Sequence, residues 1–335
     1  MLAVGFVRSL PVTAPDCLVE FDEPIGAPVD RELLVRVKAA AVNPVDVKRR
    51  SRFARDRTLP KPLILGFEAA GVVEAAGPAC QLHRPGDEIW FAGNIAHTGC
   101  NAEFQLIDER LVAPKPRSMS WEDAAALPLT GLTAWEALFN HMAISSPATV
   151  GQRILIIGGA GGVGSIAAQL AKRVAHLQVT ATASRPESAD WCRMQGADNV
   201  IDHADVLAQD PALGQFQFVL NCASTEQYWD AMCGLIAPEG KIVAIVETST
   251  PLNLLPLMNK SASFSWEHMS TRSLYGLNSL SAQHAILAQL SQLVDLGVIT
   301  STRTTTICGL SAATVRQAHE LIETGRSVGK VVISY

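Results

Sequence analysis

No C-x-x-C pair occurs in the chain, and its seven cysteines stand apart at Cys17, Cys80, Cys100, Cys192, Cys222, Cys233 and Cys308. An odd, scattered set supports neither a disulfide framework nor a zinc ribbon. Basic blocks are missing too. The 27 Lys and Arg are outnumbered by 32 Asp and Glu, giving a net charge of −5, which argues against nucleic acid as a partner. Met1 to Val12 has one arginine, Arg8, and no long apolar core. No signal peptide is expected there, and the protein is expected to be cytoplasmic, with no membrane partner. One uncharged run, Ile154 to Ala171, approaches spanning length but contains five glycines. Each would cost about 1 kcal/mol inside a helix, so the run does not read as a membrane span.

What is present is organised around that same run. Four aliphatic residues, Ile154 to Ile157, lead into a glycine turn, and a proline-free helical stretch follows. Strand, glycine turn and helix in that order mark the start of a dinucleotide-binding fold. Gly159, Gly161 and Gly164 fit G-x-G-x-x-G, with Gly162 and Val163 between them. The three glycines serve a tight turn, backbone approach to a pyrophosphate, and helix–strand contact. The helix N-terminus then offers unpaired N–H groups to the phosphates.

An Asp or Glu about 20 residues beyond the turn would bond the ribose 2′-hydroxyl of NADH. Ser184 and Arg185 stand there instead. A hydroxyl and a guanidinium suit a 2′-phosphate, so NADPH is favoured over NADH. In the alternative, Arg185 is a solvated surface residue and Glu187 supplies the acid. Further cofactor contacts are expected at the carboxyl ends of the following strands, at His203, Asn221 and Val246. His203 reads equally as a solvated loop histidine or as packing against adenine.

Along the chain, the first 115 residues are dense in proline, glycine and short β-like runs, including Leu33 to Val42. They read as a β-rich, barrel-like domain. Ser120 caps a helix, with Asp123 three residues on. From Ile154 to Val246 strands and helices alternate, which implies a doubly wound parallel sheet and an α/β fold. After Glu247 the alternation stops, and the tail is inferred to return to the first domain. The expected division is 1–122 with 268–335 against 123–267.

The chain resembles the medium-chain dehydrogenase/reductase superfamily over essentially its full length. The matching stretches are Ala41 to Asp46, Gly66 to Gly71, Pro85-Gly86-Asp87, Gly131 to Ala134, the glycine turn, and Gly329 to Val332. It is most similar to the zinc-free quinone oxidoreductases, and in particular to the group labelled "zinc-type alcohol dehydrogenase-like", which Phe264 to Met269 also resembles. The resemblance implies a GroES-like barrel domain, a Rossmann domain and a homodimer. It also implies a small-molecule substrate bound between the two domains. Where zinc-dependent relatives place metal ligands, this chain has Asn43, Phe67 and, near the third place, Leu129. Phenylalanine cannot ligate zinc, so no zinc is expected.

Without a Lewis acid, an NADPH-dependent reduction of a quinone or an α,β-unsaturated carbonyl is expected. The alternatives are a zinc- and NAD-dependent alcohol dehydrogenase and a non-catalytic NADPH-binding sensor. Asn43 is the candidate amide donor to the substrate carbonyl, or else caps its own loop. Asp46 is expected to orient neighbouring groups. Lys48 stands where many quinone oxidoreductases have tyrosine, which leaves the proton donor open. Thr133 and Lys330 are candidate cofactor contacts, or respectively a helix back-bond and a surface charge. Phe67, Trp90 and Trp266 are candidate pocket walls, although aromatic residues at β positions are usually core.

Overall fold

The computed structural model describes residues 1–145 and 147–335. They form two compact units, 1–129 with 270–335 and 130–269. Among the described residues no helix is long and apolar enough to cross a membrane.

The 130–269 unit is built on a six-stranded sheet in which every pairing is parallel. From edge to edge the strands are Asn199–Ile201, Gln178–Thr182, Arg153–Ile157, Phe216–Asn221, Ile236–Ala244 and Ser263–Trp266. Numbered along the chain, that order is 3-2-1-4-5-6, the doubly wound arrangement of a Rossmann fold. Ile154 to Ile157 are all buried. Helices cover both faces of such a sheet, so its central strands are unbroken aliphatic runs without alternation. One face packs Leu155, Val219 and Ile242 against Trp229 and Met232 of the helix Thr225–Leu235. The helix Pro186–Gln195 begins on its proline and ends at Gly196, whose φ of +114° only glycine adopts at low cost. Strand order reverses between 153–157 and 216–221, which opens a crevice at their carboxyl ends.

The other unit is antiparallel at its centre. The 11-residue strand Glu32–Val42 pairs with Glu68–Ala76, Phe104–Asp108 and Lys330–Ser334. Its first half alternates, with Leu33, Val35 and Val37 buried. Its second half, Ala39 to Val42, is buried throughout, and small side chains allow that close covering. A small sheet of Val19–Asp22, Leu2–Phe6 and Leu63–Ile64 completes the β-rich body.

The tail does return here. Arg303–Cys308 pairs in parallel with Lys330–Ser334, with the helix Ala312–Glu323 between them. The units divide at 129/130 and 269/270, later than the expected 122/123 and 267/268. The Ser120-capped helix Trp121–Ala125 stays with the tail because Arg303 Nε donates to Asp123 Oδ1 at 2.8 Å and Thr302 donates to the Ala126 carbonyl.

Candidate active site

The glycine turn discriminates between its three glycines. A Cβ on Gly164 would lie 2.3 Å from the Gly158 carbonyl, and one on Gly159 would lie 2.7 Å from Ala181 Cβ. Both positions are required by the chain's own packing. A Cβ on Gly161 would meet only the Gly158 carbonyl, at 3.5 Å. Nothing within the protein demands glycine there, and the open approach fits a phosphate coming close to backbone. Gly161 is the N-cap of the helix Gly162–Gln169 and supplies no side-chain cap. The first-turn amides of Gly162 and Val163 have no carbonyl one turn back, as at any helix start. The residues present therefore fit a dinucleotide pyrophosphate. Thr182, which sequence reasoning passed over, ties the turn to the second strand: its Oγ1 accepts from Gly158 N at 2.8 Å.

Beyond that strand, Ser184 is exposed, and Arg185 is half-buried as the N-cap of the 186–195 helix. Glu187 is exposed in that helix's first turn. His203 is neither a free loop residue nor an open ring. It begins the helix His203–Leu207, with Nδ1 2.7 Å from Tyr228 Oη and Nε2 3.4 Å from Thr182 Oγ1. Burial holds its pKa below the ordinary value, favouring the neutral ring. Asn221 is wholly buried and its amide is used locally, donating to Thr225 Oγ1 and accepting from Ala223 N. Thr225 in turn donates to the Val246 carbonyl. Asn221 and Val246 are thus linked through one hydroxyl, which gives this strand end a fixed shape.

In the 1–129/270–335 unit, strand register creates a buried polar cluster. Val331 lies opposite Val42, which brings Lys330 beside Asn43. Lys330, 3% exposed, donates to the Asn43 Oδ1, to Glu68 Oε1 and, at 3.3 Å, to the Val42 carbonyl. Asn43 closes the ring by donating Nδ2 to Glu68 Oε1 at 2.8 Å. The other carboxylate oxygen of Glu68 accepts from Leu129 N at 2.8 Å.

Asp46 lies in the same buried region. Its two oxygens accept from Asn43 N and Gly66 N, each at 2.8 Å. Burial pushes its pKa up to about 6 against the pull of those two amides. Cys100 donates to the Glu68 carbonyl at 3.3 Å, and Tyr335 Oη donates to the Cys100 carbonyl at 2.7 Å. Burial raises both the thiol and the phenol well above their usual ranges, so both stay protonated.

This cluster redraws several expectations. Lys330, expected as a cofactor contact or a surface charge, has all three ammonium protons engaged inside its own unit. Glu68, inside the Gly66 to Gly71 stretch, is the hub of the ring. Asn43 does begin a helix, Pro44–Arg52, and its amide also bridges an ammonium and a carboxylate. Lys48 sits half-buried on that helix, and Thr133 is buried in the helix Pro128–Trp135.

Trp90, expected as a pocket wall, has no exposed surface; its strand is flanked by Ala70 and Ala113. Phe67 is equally core, packed with Leu65 and with Leu129 against it. Strands covered on both faces turn aromatic side chains into packing. Trp266 alone of the three is open to solvent, 44% exposed and edge-on to Phe264.

A zinc ion does not fit the residues at the ligand places. Phe67 has no donor atom, Leu129 none in its side chain, and the ammonium of Lys330 lies against the Glu68 carboxylate. Among the described residues no group of three or more His, Cys, Asp or Glu is placed to share a metal.

Residues 29–117 match the alcohol dehydrogenase GroES-like domain, and residues 195–333 match the family described as zinc-binding dehydrogenase. A zinc-type alcohol dehydrogenase-like protein of Staphylococcus epidermidis is 37% identical over 342 residues, which cover 100% of this chain and 99% of the relative. A Rhizobium etli structure, assigned provisionally to the zinc-dependent alcohol dehydrogenases, is 42% identical with a TM-score of 0.94. It covers 100% of this chain and 98% of its own. A quinone oxidoreductase of Pseudomonas syringae has a TM-score of 0.82 at 26% identity, covering 99% and 100%. The β-rich unit is accordingly GroES-like, and the other is a Rossmann unit. The chain belongs to the medium-chain dehydrogenase/reductase superfamily and is an oxidoreductase.

Proposed function

We propose that this oxidoreductase transfers hydride from NADPH to a small conjugated acceptor, a quinone or an α,β-unsaturated aldehyde or ketone, with no metal ion. One observation carries the reading: at the places where zinc-dependent relatives carry metal ligands stand an amide, a phenyl ring and an aliphatic side chain, and the neighbouring carboxylate of Glu68 is already paired with an ammonium. The nicotinamide supplies the hydride when bound, and the chain's residues do the rest. Gly159, Gly161, Gly162, Val163 and Gly164 receive the pyrophosphate, and Ser184 and Arg185 receive the 2′-phosphate. His203, Asn221 and Val246 shape the remaining strand ends, and Thr133 meets the nicotinamide end.

Asn43 donates one amide proton to Glu68, and the other has no acceptor among the described residues. A buried donor left unmet costs free energy, and a substrate carbonyl oxygen would satisfy it. Conjugation spreads the negative charge that arrives with the hydride, so a neutral donor suffices there. An unactivated alcohol lacks that delocalisation and needs a Lewis acid. Asp46 holds the Asn43 turn against Gly66. Lys48 or solvent returns the proton to the reduced product.

The zinc-dependent description of the Rhizobium relative favours a second reading, alcohol oxidation with zinc and NAD; Phe67 stands against it. The deciding experiment screens NADPH oxidation over quinones, enals and enones, alongside alcohol oxidation with NAD, metal analysis and both cofactors' dissociation constants. NADPH consumption by a quinone or enone in metal-free protein is expected. Stoichiometric zinc with alcohol turnover, or tight NADPH binding with no acceptor reduced, would overturn the proposal. Tighter binding of NADH than of NADPH would remove the role given to Arg185.

A further inference from the structure

The ring of Lys330, Asn43 and Glu68 joins three segments that are distant in sequence. Lys330 lies 287 residues from Asn43 and 262 from Glu68. Each contact constrains the others. The amide oxygen of Asn43 faces the ammonium and its nitrogen faces the carboxylate. Turning the amide over would place NH₂ against NH₃⁺ and a carbonyl oxygen against COO⁻, so only one orientation is tolerable. Burying an ammonium and a carboxylate carries a desolvation cost, and apolar packing of similar volume is often as stable or more so. Stability alone therefore gives a weak account of why the ring exists.

We propose that Lys330 is a positioning residue for the reaction: its ammonium locks and polarises the Asn43 amide, and Glu68 is the counter-ion that fixes both. The proposal rests on the reading of Asn43 as the donor to the acceptor's carbonyl oxygen. An ammonium on the amide oxygen draws electron density toward that oxygen and makes the remaining N–H a stronger donor. The donor is also preorganised, so no reorientation is needed as charge develops on the acceptor. The cation that relatives described as zinc-dependent take from solution is here a side chain. It reaches the reacting oxygen through an intervening amide.

The test uses the full chain, with Lys330→Met, Asn43→Ala and the double variant. The first readout needs no cofactor: the side-chain ¹⁵NH₂ signals of Asn43, identified by their loss in Asn43→Ala. In the wild-type chain two well-separated proton shifts are expected; Lys330→Met is expected to narrow the separation. The second readout is kcat with NADPH and 1,4-naphthoquinone, measured beside the Kd for NADPH. Lys330→Met is expected to lower kcat by roughly 10–100-fold, the range for a bond to a charged group. Its Kd for NADPH should stay within about twofold, and the double variant should be no slower than Asn43→Ala. Lys330→Arg should recover part of kcat.

A raised Kd with kcat unchanged would make Lys330 a cofactor contact and overturn the proposal. Additive losses in the double variant, or unchanged Asn43 shifts, would overturn it too. If Asn43→Ala itself leaves kcat unchanged, the functional reading of Asn43 fails, and this proposal falls with it. If Asn43→Ala is slow while Lys330→Met is not, the present proposal alone fails. Should Lys330→Met not fold, Lys330→Gln keeps a donor to the amide without the charge, and the same outcomes apply.

Discussion

Asp46 is wholly buried, and each of its oxygens accepts from a backbone amide, Asn43 N and Gly66 N. Its pKa near 6 against an ordinary 3.8 means that the folded chain holds the proton more tightly than the unfolded one. The sign follows: this carboxyl's contribution is fully present below about pH 3.8 and is lost as pH rises through about 6. At 1.36 kcal/mol per pH unit, the interval from 3.8 to about 6 is worth about 3 kcal/mol. Asp46→Asn removes that dependence but also replaces one acceptor by an NH₂ donor, which opposes one of the two amides. We expect the variant to melt lower than wild type at every pH. The gap should be widest near pH 4 and should shrink toward pH 7, as thermal unfolding across that range would report. A gap independent of pH would mean that Asp46 titrates normally. The sequence makes Asp46 visible as an orienting residue through its place in Asn43-Pro44-Val45-Asp46. Its partner Gly66 lies 20 residues away and carries no signal of the contact.

The glycine turn behaves as an element, because its residues have separable duties. Gly164→Ala would drive a methyl against the Gly158 carbonyl and the Gly159 backbone, neither of which can move cheaply. We expect a loss of about 1–3 kcal/mol in stability, or no folded protein. Gly161→Ala places its methyl in ordinary contact with one carbonyl. It should melt within a few degrees of wild type yet bind NADPH at least tenfold more weakly, as titration against the melting curves would show. Equal effects of both substitutions on stability, with unchanged binding, would take Gly161 out of the cofactor site.

The helix Pro44–Arg52 depends on a different anchor. Arg50 is 1% exposed and reaches His319 Nδ1 at 3.2 Å, the Leu10 carbonyl and Glu323. Burial and the guanidinium hold His319 down to about 3, so it stays neutral beside the cation. Arg50→Met strands the Leu10 carbonyl and His319 without a donor. It should cost about 3–5 kcal/mol in chemical denaturation, the range for breaking a buried charged contact. In the sequence Arg50 is one of five basic residues between Lys48 and Arg55. Nothing local distinguishes the buried one, because its partners lie 40 residues upstream at Leu10 and 269 and 273 residues downstream at His319 and Glu323.

For the whole molecule, the strand Ser263–Trp266 closes one edge of the parallel sheet. Its outer side has no strand partner among the described residues. An unpaired edge carrying an exposed tryptophan is a template for pairing with a second copy, and a homodimer is proposed on that ground and on the family resemblance. Sedimentation should then report twice the 35.8 kDa of the chain. Trp266→Lys, at a position 44% exposed, should give the single mass at little cost in stability. A dimer that survives that substitution would place the interface elsewhere.

The sequence by itself determined what depends on local order and period: the strand–glycine–helix start, the alternation that forces a parallel sheet, and the capped helix at Ser120. Each follows from residue types a few positions apart, where backbone geometry leaves little choice. Only the tertiary structure decided that Trp90 is core, that Asn221 is turned inward, and that Lys330 closes a ring with Glu68. Those outcomes depend on strand register and on which face of a strand is covered. Register is set by pairing between segments up to 295 residues apart, Ser334 lying opposite Ala39, and no pattern within either segment encodes its partner.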